Sequence, residues 1–291
     1  MALPKLDVDI PLGSTRTRAT LLASIGEIPS ESLSDDEFER WVNGVSFAPN
    51  PVRDPKFGTT LDPCLPASFT ADAYGCPMPI DALPFQAYEG LTAPTLSMTD
   101  EQLIAKVQAR KANWLSWAFA KQLMSGSATG GSNNLSTGAA GTPPTGAAYG
   151  SLATPLYNAV SILEAHLAEK IHNAEGIIHM SPGMLTMAVD ECSLIRDGDR
   201  FYTQLGNLVI ADAGYVTPPP PLAQAAAGVG EDWVYASGPV FYRSLEVERI
   251  GDTWQRVNIT RNSRTTWTEV YGILALDLEP VTAVLASYRS E

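Results

Sequence analysis

Residues 176–191 read GIIHMSPGMLTMAVDE, a short apolar run followed by the start of a helix. The run from Ile177 to Met180 predicts a short buried strand. Ser181 is a residue type that helix N-caps favour, and the proline after it suits the first helical position. The stretch therefore predicts a strand that turns directly into a helix.

The same stretch also admits a catalytic interpretation, because His179 and Ser181 lie close together with Asp190 and Glu191 nearby. A nucleophilic serine requires a base within hydrogen-bonding distance and a third group that orients the base. The local sequence is His-Met-Ser-Pro-Gly rather than the G-x-S-x-G elbow of hydrolases. The sequence therefore favours a helix cap at Ser181, and a serine hydrolase that uses Ser181 and His179 stays open as an alternative.

The clearest helix spans residues 99–124, where apolar residues recur at helical spacing. Thr99 is the expected N-cap, and Gln102 completes a capping box with it. At about 1.5 Å per residue, this helix is on the order of 40 Å long. Trp114 and Trp117 lie on one side of it. We expect a core helix, with a subunit contact along one side as the alternative.

Residues 154–171 predict a second amphipathic helix, with Thr154 as the cap and Pro155 at the first helical position. His166 and His172 flank its apolar stripe and are expected to be solvated. They lie on different faces of a helix, which makes them a poor metal-binding pair. The sequence contains no HExxH, no DxDxDG and no Walker lysine, so it predicts no catalytic residue, cofactor or metal site.

Strand signals dominate the C-terminal third of the chain. Residues 201–215 predict two strands around Gly206-Asn207, and residues 253–278 predict two strands around Asn262-Ser263. The final run, EVYGILALDL, is continuously apolar, which is typical of a strand covered on both faces.

The first 98 residues show little periodicity. One short helix is predicted where Ser34 can cap and Glu37 can complete a capping box. The remainder reads as extended chain with turns, which is unusual for a compact domain. We therefore expect a lid or an arm that folds against neighbours. Residues 125–150 are rich in glycine and serine and predict a flexible connection or exposed loop.

Composition narrows the classes of function. The net charge of −13 over 291 residues disfavours tight wrapping of nucleic acid, which requires lysine and arginine. Only 18% of residues are charged, which suits burial of surface in an assembly, with an ordinary soluble enzyme as the alternative. Cys64, Cys76 and Cys192 match neither a disulfide framework nor zinc-ligand spacing, which favours a reducing compartment. The N-terminus lacks the apolar core of a signal peptide, and no apolar run approaches the roughly 20 residues of a membrane span.

Three motifs follow the helix start in order: TQLGN at residues 203–207, DAGY at residues 212–215 and WVYASGPV at residues 233–240. This order resembles that of tailed-bacteriophage major capsid proteins. The resemblance covers residues 99–285, and it reaches residues 1–98 by position only. It implies an α+β Hong Kong 97-like fold with an N-terminal arm, an extended loop, a peripheral domain with a long spine helix, and an axial domain.

Carried onto this chain, the resemblance implies five segments. They are the N-terminal arm (1–50), the extended loop (51–98), the spine helix of the peripheral domain and the following loop (99–150), the axial domain (151–230) and the return of the peripheral sheet (231–291).

The implied function is that of a major capsid protein, not an enzyme, which self-assembles into pentamers and hexamers of an icosahedral phage head. The implied partners are other copies of the chain, double-stranded DNA packaged without sequence specificity, and portal and scaffolding proteins. A decoration protein stays open, and no membrane partner is implied. The implied location is the virion, after synthesis in the host cytoplasm. An encapsulin-like nanocompartment shell and another virion part, such as a tail protein, are the alternatives.

The candidate subunit-interface residues are aromatic or basic: Phe85, Tyr88, Trp114, Trp117, Arg256, Arg261 and Arg264. Phe85, Tyr88 and the nearby Leu83 are expected to need a neighbouring subunit for burial. The three arginines are compatible with salt bridges between subunits, with a solvated strand face as the alternative.

Overall fold

The computed structural model describes most of the chain from residue 80 onwards and short parts of the chain before it. The described ranges are 20–27, 45–47, 80–94, 98–126, 134–139, 153–172, 174–191, 193–221, 224–245, 253–258 and 262–288. The helix predicted after Ser34 lies outside these ranges. So does most of the glycine-rich segment 125–150.

Within these ranges the chain forms helices and strands in mixed order, which confirms the α+β class. The helices are α1 (Leu21–Ser24), α2 (Asp100–Ser125), α3 (Leu135–Gly138), α4 (Leu156–Ile171) and α5 (Pro182–Asp190), with a 3-10 turn at Ala213–Tyr215. The strands are β1 (Gly26–Glu27), β2 (Val45–Phe47), β3 (Ile80–Ala82), β4 (Phe85–Pro94), β5 (Thr154–Pro155), β6 (Ile177–His179), β7 (Leu194–Asp197), β8 (Arg200–Thr203), β9 (Leu208–Ile210), β10 (Glu231–Ser237), β11 (Val240–Leu245), β12 (Thr253–Asn258), β13 (Ser263–Leu276) and β14 (Thr282–Ser287).

Helix α2 begins and ends where its sequence favours it. The Thr99 side chain accepts from the Gln102 backbone N–H, and the Gln102 side chain accepts from the Thr99 backbone N–H at 3.0 Å, which confirms the capping box. Gly126 terminates the helix in a left-handed conformation with φ of 60°. Glycine adopts this conformation without the Cβ penalty of other residues.

The predicted cap and first helical residue of the second amphipathic helix are each wrong by one residue. Helix α4 begins at Leu156, and Pro155 is its N-cap without a side-chain hydrogen bond. Thr154 and Pro155 instead form β5, which runs parallel to β14. Strand pairing holds Thr154 in the sheet, so its hydroxyl does not cap the helix.

A five-stranded sheet is organised around β13. Its strand order is β1-β11-β13-β12, and β4 also pairs with β13. β12 and β13 form the hairpin predicted around Asn262-Ser263, with Asn262 at φ 49° in the turn. Helix α2 packs on one face of this sheet. Its Arg110 side chain forms a 3.1 Å ion pair with Glu89 of β4.

The second sheet has seven strands in the order β5-β14-β10-β6-β9-β8-β7. Trp233 and Tyr235 of β10 join the core that includes α2, whereas Val234 and Ala236 join the core under α4 and α5. Successive strand residues point to opposite faces, so burial on both faces requires a continuous apolar run. The hairpin predicted around Gly206-Asn207 is confirmed by the antiparallel pairing of β8 and β9.

The larger core joins the two sheets through the C-terminal half of α2. Phe119 of α2 stacks edge-to-face on Phe85 of β4 and on Tyr242 of β11. Gly272 of β13 lies beneath these rings, where an added Cβ would come within 2.5 Å of the Phe119 ring. The absence of a side chain at Gly272 therefore permits the close approach of α2 to the sheet.

The chain crosses between the two sheets after β10 and again after β13. Ser237 ends β10 of the seven-stranded sheet, and Val240 begins β11 of the five-stranded sheet. The predicted boundary at residue 231 therefore does not coincide with a change of sheet, because β10 pairs with β6 and β14. The strand pairing does not test the division into five segments, which stays a prediction.

Candidate functional site

His179 lies in the interior of the protein, at the end of β6. It is fully buried, and its Nδ1 lies 3.1 Å from the Tyr215 hydroxyl. Its Nε2 lies 2.9 Å from the hydroxyl of Ser237, which is also fully buried. Burial lowers the pKa of His179 to about 3, because the interior disfavours the charged imidazolium. His179 is therefore neutral at neutral pH.

One arrangement of protons satisfies this whole group. The Ser237 hydroxyl donates to the Gly238 carbonyl at 2.9 Å, so its oxygen is left to accept from the histidine. Nε2 then carries the imidazole proton, and Nδ1 accepts from the Tyr215 hydroxyl. A histidine nitrogen that donates to a serine cannot remove that serine's proton. In this arrangement the His179–Ser237 pair is a structural hydrogen bond.

Ser181 caps helix α5, as the sequence predicts. Its hydroxyl oxygen accepts from the Met184 backbone N–H at 3.3 Å. Its hydroxyl donates to the carboxylate of Asp232, which also accepts from the Tyr288 hydroxyl at 3.2 Å. Burial raises the pKa of Asp232, and these hydrogen bonds partly oppose that rise.

The structure therefore separates the two residues of the catalytic alternative. The ring nitrogens of His179 contact Tyr215 and Ser237, whereas Ser181 contacts Asp232 and a backbone amide. An activated serine requires a base in contact with its hydroxyl. Ser181 caps a helix and contacts Asp232, and His179 is not in contact with its hydroxyl.

The other two histidines do not assemble into a ligand set. His166 is 3% exposed, so the prediction that it is solvated is wrong: it lies on the face of α4 that packs on β14 and on the turn at Pro280. His172 is half-buried at the end of α4. Among the described residues, no group of three histidine, cysteine, aspartate or glutamate side chains is placed to hold a metal ion. Cys64, Cys76 and Cys192 lie outside the described ranges.

The predicted interface aromatics lie in three different environments. Phe85 is 5% exposed and packs on Phe119 of the same chain, so it needs no neighbour for burial. Trp114 is half-buried against the larger core. Tyr88 on β4 is 73% exposed, and Trp117 on α2 is 46% exposed. Tyr88 and Trp117 are therefore the two aromatics of the set that remain available to a partner.

The three predicted arginines are not brought together by any described contact. Arg264 forms an ion pair with Asp100 at the start of α2, within the same chain. The side chain of Arg256 and the whole of Arg261 lie outside the described part of the structure.

Other large apolar side chains on the described surface were missed by the sequence analysis. They are Tyr157, Val189, Ile195, Leu205, Val216, Val229, Phe241 and Val257. Ile195 shows why they were missed. It follows the partly buried Leu194 in β7, and adjacent strand residues face opposite sides of the sheet. The sequence pattern therefore predicts that Leu194 and Ile195 face opposite sides of the sheet, but it does not predict which of the two is exposed to solvent.

Within the described ranges, no helix is both long and apolar enough to cross a membrane. The long helix α2 instead has a buried side that includes Leu103, Val107 and Phe119, as expected for a helix packed on a sheet, and Lys111 and Gln122 are buried as well.

Comparison with known proteins shows similarity in structure only. No protein-family model and no curated protein matches the sequence. The capsid of an empty GTA particle superposes with a TM-score of 0.54 at 14% identity, over 98% of this chain and 95% of that chain. The capsid of Ralstonia phage GP4 gives a TM-score of 0.54 at 12% identity, over 99% and 96% of the two chains. A structure from Gordonia phage Cozz gives 0.51 at 12% identity, over 99% and 92%.

These superpositions cover nearly the whole of each chain, so the similarity is one of complete fold rather than of a single motif. The sequence resemblance to capsid proteins is confirmed at the level of the fold. The chain therefore has the Hong Kong 97-like α+β fold of tailed-phage major capsid proteins.

Proposed function

We propose that the protein is a major capsid protein that self-assembles into pentamers and hexamers of an icosahedral phage head. The observation that carries the proposal is the superposition on the capsid of an empty GTA particle over 98% of this chain and 95% of that chain. A chain that retains the whole fold of a shell subunit retains the geometry on which closed assembly depends.

The chemistry of the described interior supports a structural role over a catalytic one. His179 is buried and neutral, and it donates to Ser237, while Ser181 caps a helix and contacts Asp232. The ring nitrogens of His179 do not contact Ser181, so the described contacts do not form the serine–histidine pair that a serine hydrolase requires. We infer that these groups stabilise the fold rather than perform a reaction.

The subunit contacts are proposed to include Tyr88 and Trp117. Both side chains are large, aromatic and exposed in the single chain, and such residues are enriched at the centres of interfaces. They lie on different elements, β4 and α2. They therefore suit contacts with two different neighbours, as a shell requires.

The proposed cargo is double-stranded DNA, held without sequence specificity inside the head. The net charge of −13 suits a shell that encloses DNA rather than a protein that wraps it. Portal and scaffolding proteins are further proposed partners, and the virion is the proposed location. An encapsulin-like shell is the second candidate, because the low charge and exposed aromatics suit any closed shell.

Purified particles distinguish these candidates. We expect nuclease-treated particles to retain DNA that becomes digestible only after the shell is opened. Particles without DNA that enclose a defined enzyme would favour the nanocompartment instead.

Two variants test the proposed contacts. Tyr88→Ala and Trp117→Ala are expected to reduce the yield of particles while leaving the melting of the isolated subunit nearly unchanged. Phe85→Ala is the contrasting variant, because it removes a buried ring and is expected to lower subunit stability by about 3–5 kcal/mol. Normal particles from both Tyr88→Ala and Trp117→Ala would remove these residues from the interface.

A further inference from the structure

The N-terminal part of the described chain, Thr20–Glu27, lies against the body of the protein as a short strap. Leu21 is fully buried in the larger core, although it stands at the beginning of the described chain. Gly26 and Glu27 form β1, which runs parallel to Phe241 and Tyr242 at the edge of the five-stranded sheet. We refer to residues 20–27 as the N-terminal strap.

A single buried carboxylate joins this strap to two other elements. Asp212 is 2% exposed, and its Oδ2 accepts from the Leu21 backbone N–H at 3.0 Å. The same oxygen accepts from the Ser116 hydroxyl of α2 at 2.7 Å. Its Oδ1 accepts from the Gly214 N–H at 2.9 Å, within the 3-10 turn. One side chain therefore binds the strap, the long helix and the turn together.

Ser116 strengthens this connection from the side of the helix. Its hydroxyl oxygen accepts from the Leu22 backbone N–H at 3.4 Å while its proton is donated to Asp212. Both amides at the start of α1 are thus bound by side chains that lie far away in sequence. A buried carboxylate needs such donors, because the loss of one hydrogen bond leaves a carboxylate oxygen without a partner in an apolar interior.

The strap is small compared with the body that it contacts. It consists of one helical turn and a two-residue strand, with Leu21 fully buried and Leu22 and Ile25 partly buried against the larger core. Segments with few buried apolar contacts open at lower free energy than the strands of a central sheet. The docking of the strap therefore depends on the Asp212 and Ser116 hydrogen bonds together with the packing of these three side chains.

We propose that Asp212 is the latch of a detachable N-terminal strap, which holds residues 20–27 on α2 and on the edge of the five-stranded sheet. Opening of the latch withdraws Leu21 from the core and uncovers the edge of β11. The latch is a property of the subunit and does not depend on the proposed function.

Hydrogen–deuterium exchange of the full-length chain, followed by mass spectrometry, tests the latch. Asp212→Asn keeps the shape of the side chain but presents an amide group to donors, so at least one of the three contacts is lost. We expect the peptide that covers residues 20–27 to exchange at least about tenfold faster in this variant. The peptide that covers β13 is expected to change by less than about twofold, because the sheet remains folded.

Two further variants make the test decisive. Ser116→Ala leaves the carboxylate in place and removes one donor, and we expect a smaller acceleration confined to the strap. If Asp212→Asn does not fold, hydrogen exchange of residues 20–27 in Ser116→Ala still tests the latch. Asp197→Asn makes the same chemical change at an exposed position of β7 and is expected to leave strap exchange unchanged.

Two outcomes would overturn the proposal. Strap exchange equal to that of the unaltered chain in the folded variants would show that Asp212 does not hold the strap. Equal acceleration in the strap and in β13 would show that the strap opens only when the whole subunit unfolds.

Discussion

Gly214 marks the closest approach between the 3-10 turn and helix α2, and its replacement by alanine is expected to destabilise the subunit. An added Cβ would lie 2.6 Å from the Ala120 Cβ, 2.7 Å from the Trp117 carbonyl oxygen and 2.8 Å from the Lys121 backbone nitrogen. Two of these three atoms belong to the backbone of α2. A change of side-chain rotamer cannot relieve the contacts, so the turn or the helix must move.

The size of the effect follows from the kind of strain. Inserting one carbon atom into a well-packed interior typically costs about 1–3 kcal/mol. Because the backbone of α2 is held by the core on both sides of Trp117, we expect Gly214→Ala to lower the free energy of unfolding by about 3 kcal/mol. The same movement would strain the Asp212 contacts, since Gly214 donates to that carboxylate.

Urea unfolding of the unassembled subunit measures this change. Gly90→Ala is the matched control, because a Cβ at Gly90 meets the Trp267 Cβ at 3.4 Å, which is an ordinary contact. The control is expected to change the unfolding free energy by less than about 1 kcal/mol. Equal midpoints for Gly214→Ala and Gly90→Ala would refute the reasoning that the turn and α2 are in tight contact.

Three further changes have expected outcomes. Ser181→Ala should lower the free energy of unfolding by about 0.5–2 kcal/mol through loss of the α5 cap, as measured by urea unfolding, and an unchanged midpoint would argue against the cap. His179 has a pKa lowered to about 3 in the folded chain, so it contributes stability at neutral pH that is lost as pH falls from about 6.5 towards 3, at up to about 1.4 kcal/mol per pH unit. Over this pH range, the free energy of unfolding should depend less steeply on pH in His179→Gln than in the unaltered chain. An equal pH dependence in both would contradict the lowered pKa of His179. Burial raises the pKa of Asp232, so its ionised form is disfavoured in the folded chain. The subunit therefore gains stability relative to Asp232→Asn as the pH falls through this raised pKa towards the ordinary carboxyl value of 3.8. If the difference in melting temperature between the unaltered chain and Asp232→Asn does not change with pH, the raised pKa of Asp232 is contradicted.

The local elements could be predicted from the sequence because short-range chemistry determines them. The capping box of Thr99 and Gln102 fixes the start of α2, and Ser181 fixes the start of α5. The hairpin turn at Asn262 follows from a residue type that tolerates positive φ. Each of these signals lies within a few residues of the structure that it specifies.

Long-range packing could not be predicted in the same way. The strand signals on both sides of Gly238-Pro239 are alike, yet the chain changes sheet there. His166 looks like a flanking polar residue on a helical wheel, but the turn at Pro280 covers it. Only the three-dimensional arrangement of β13, β14 and α4 determines this burial.

In strand β4 of the candidate surface, exposure also could not be predicted from the sequence. Phe85 and Tyr88 occupy positions of opposite parity in β4, so they must face opposite sides of the sheet. From the sequence, both are expected to need a neighbouring subunit for burial, because the alternation does not tell which face of β4 the same chain covers. The packing of Phe119 on Phe85 determines the answer and leaves Tyr88 exposed.

Self-assembly is the central claim, and the most direct test is negative-stain electron microscopy of the purified full-length protein with size-exclusion light scattering beside it. We predict closed shells, or free pentamers and hexamers of capsomer size. A homogeneous monomer or dimer under all assembly conditions tested would contradict the capsid function while leaving the fold unchanged.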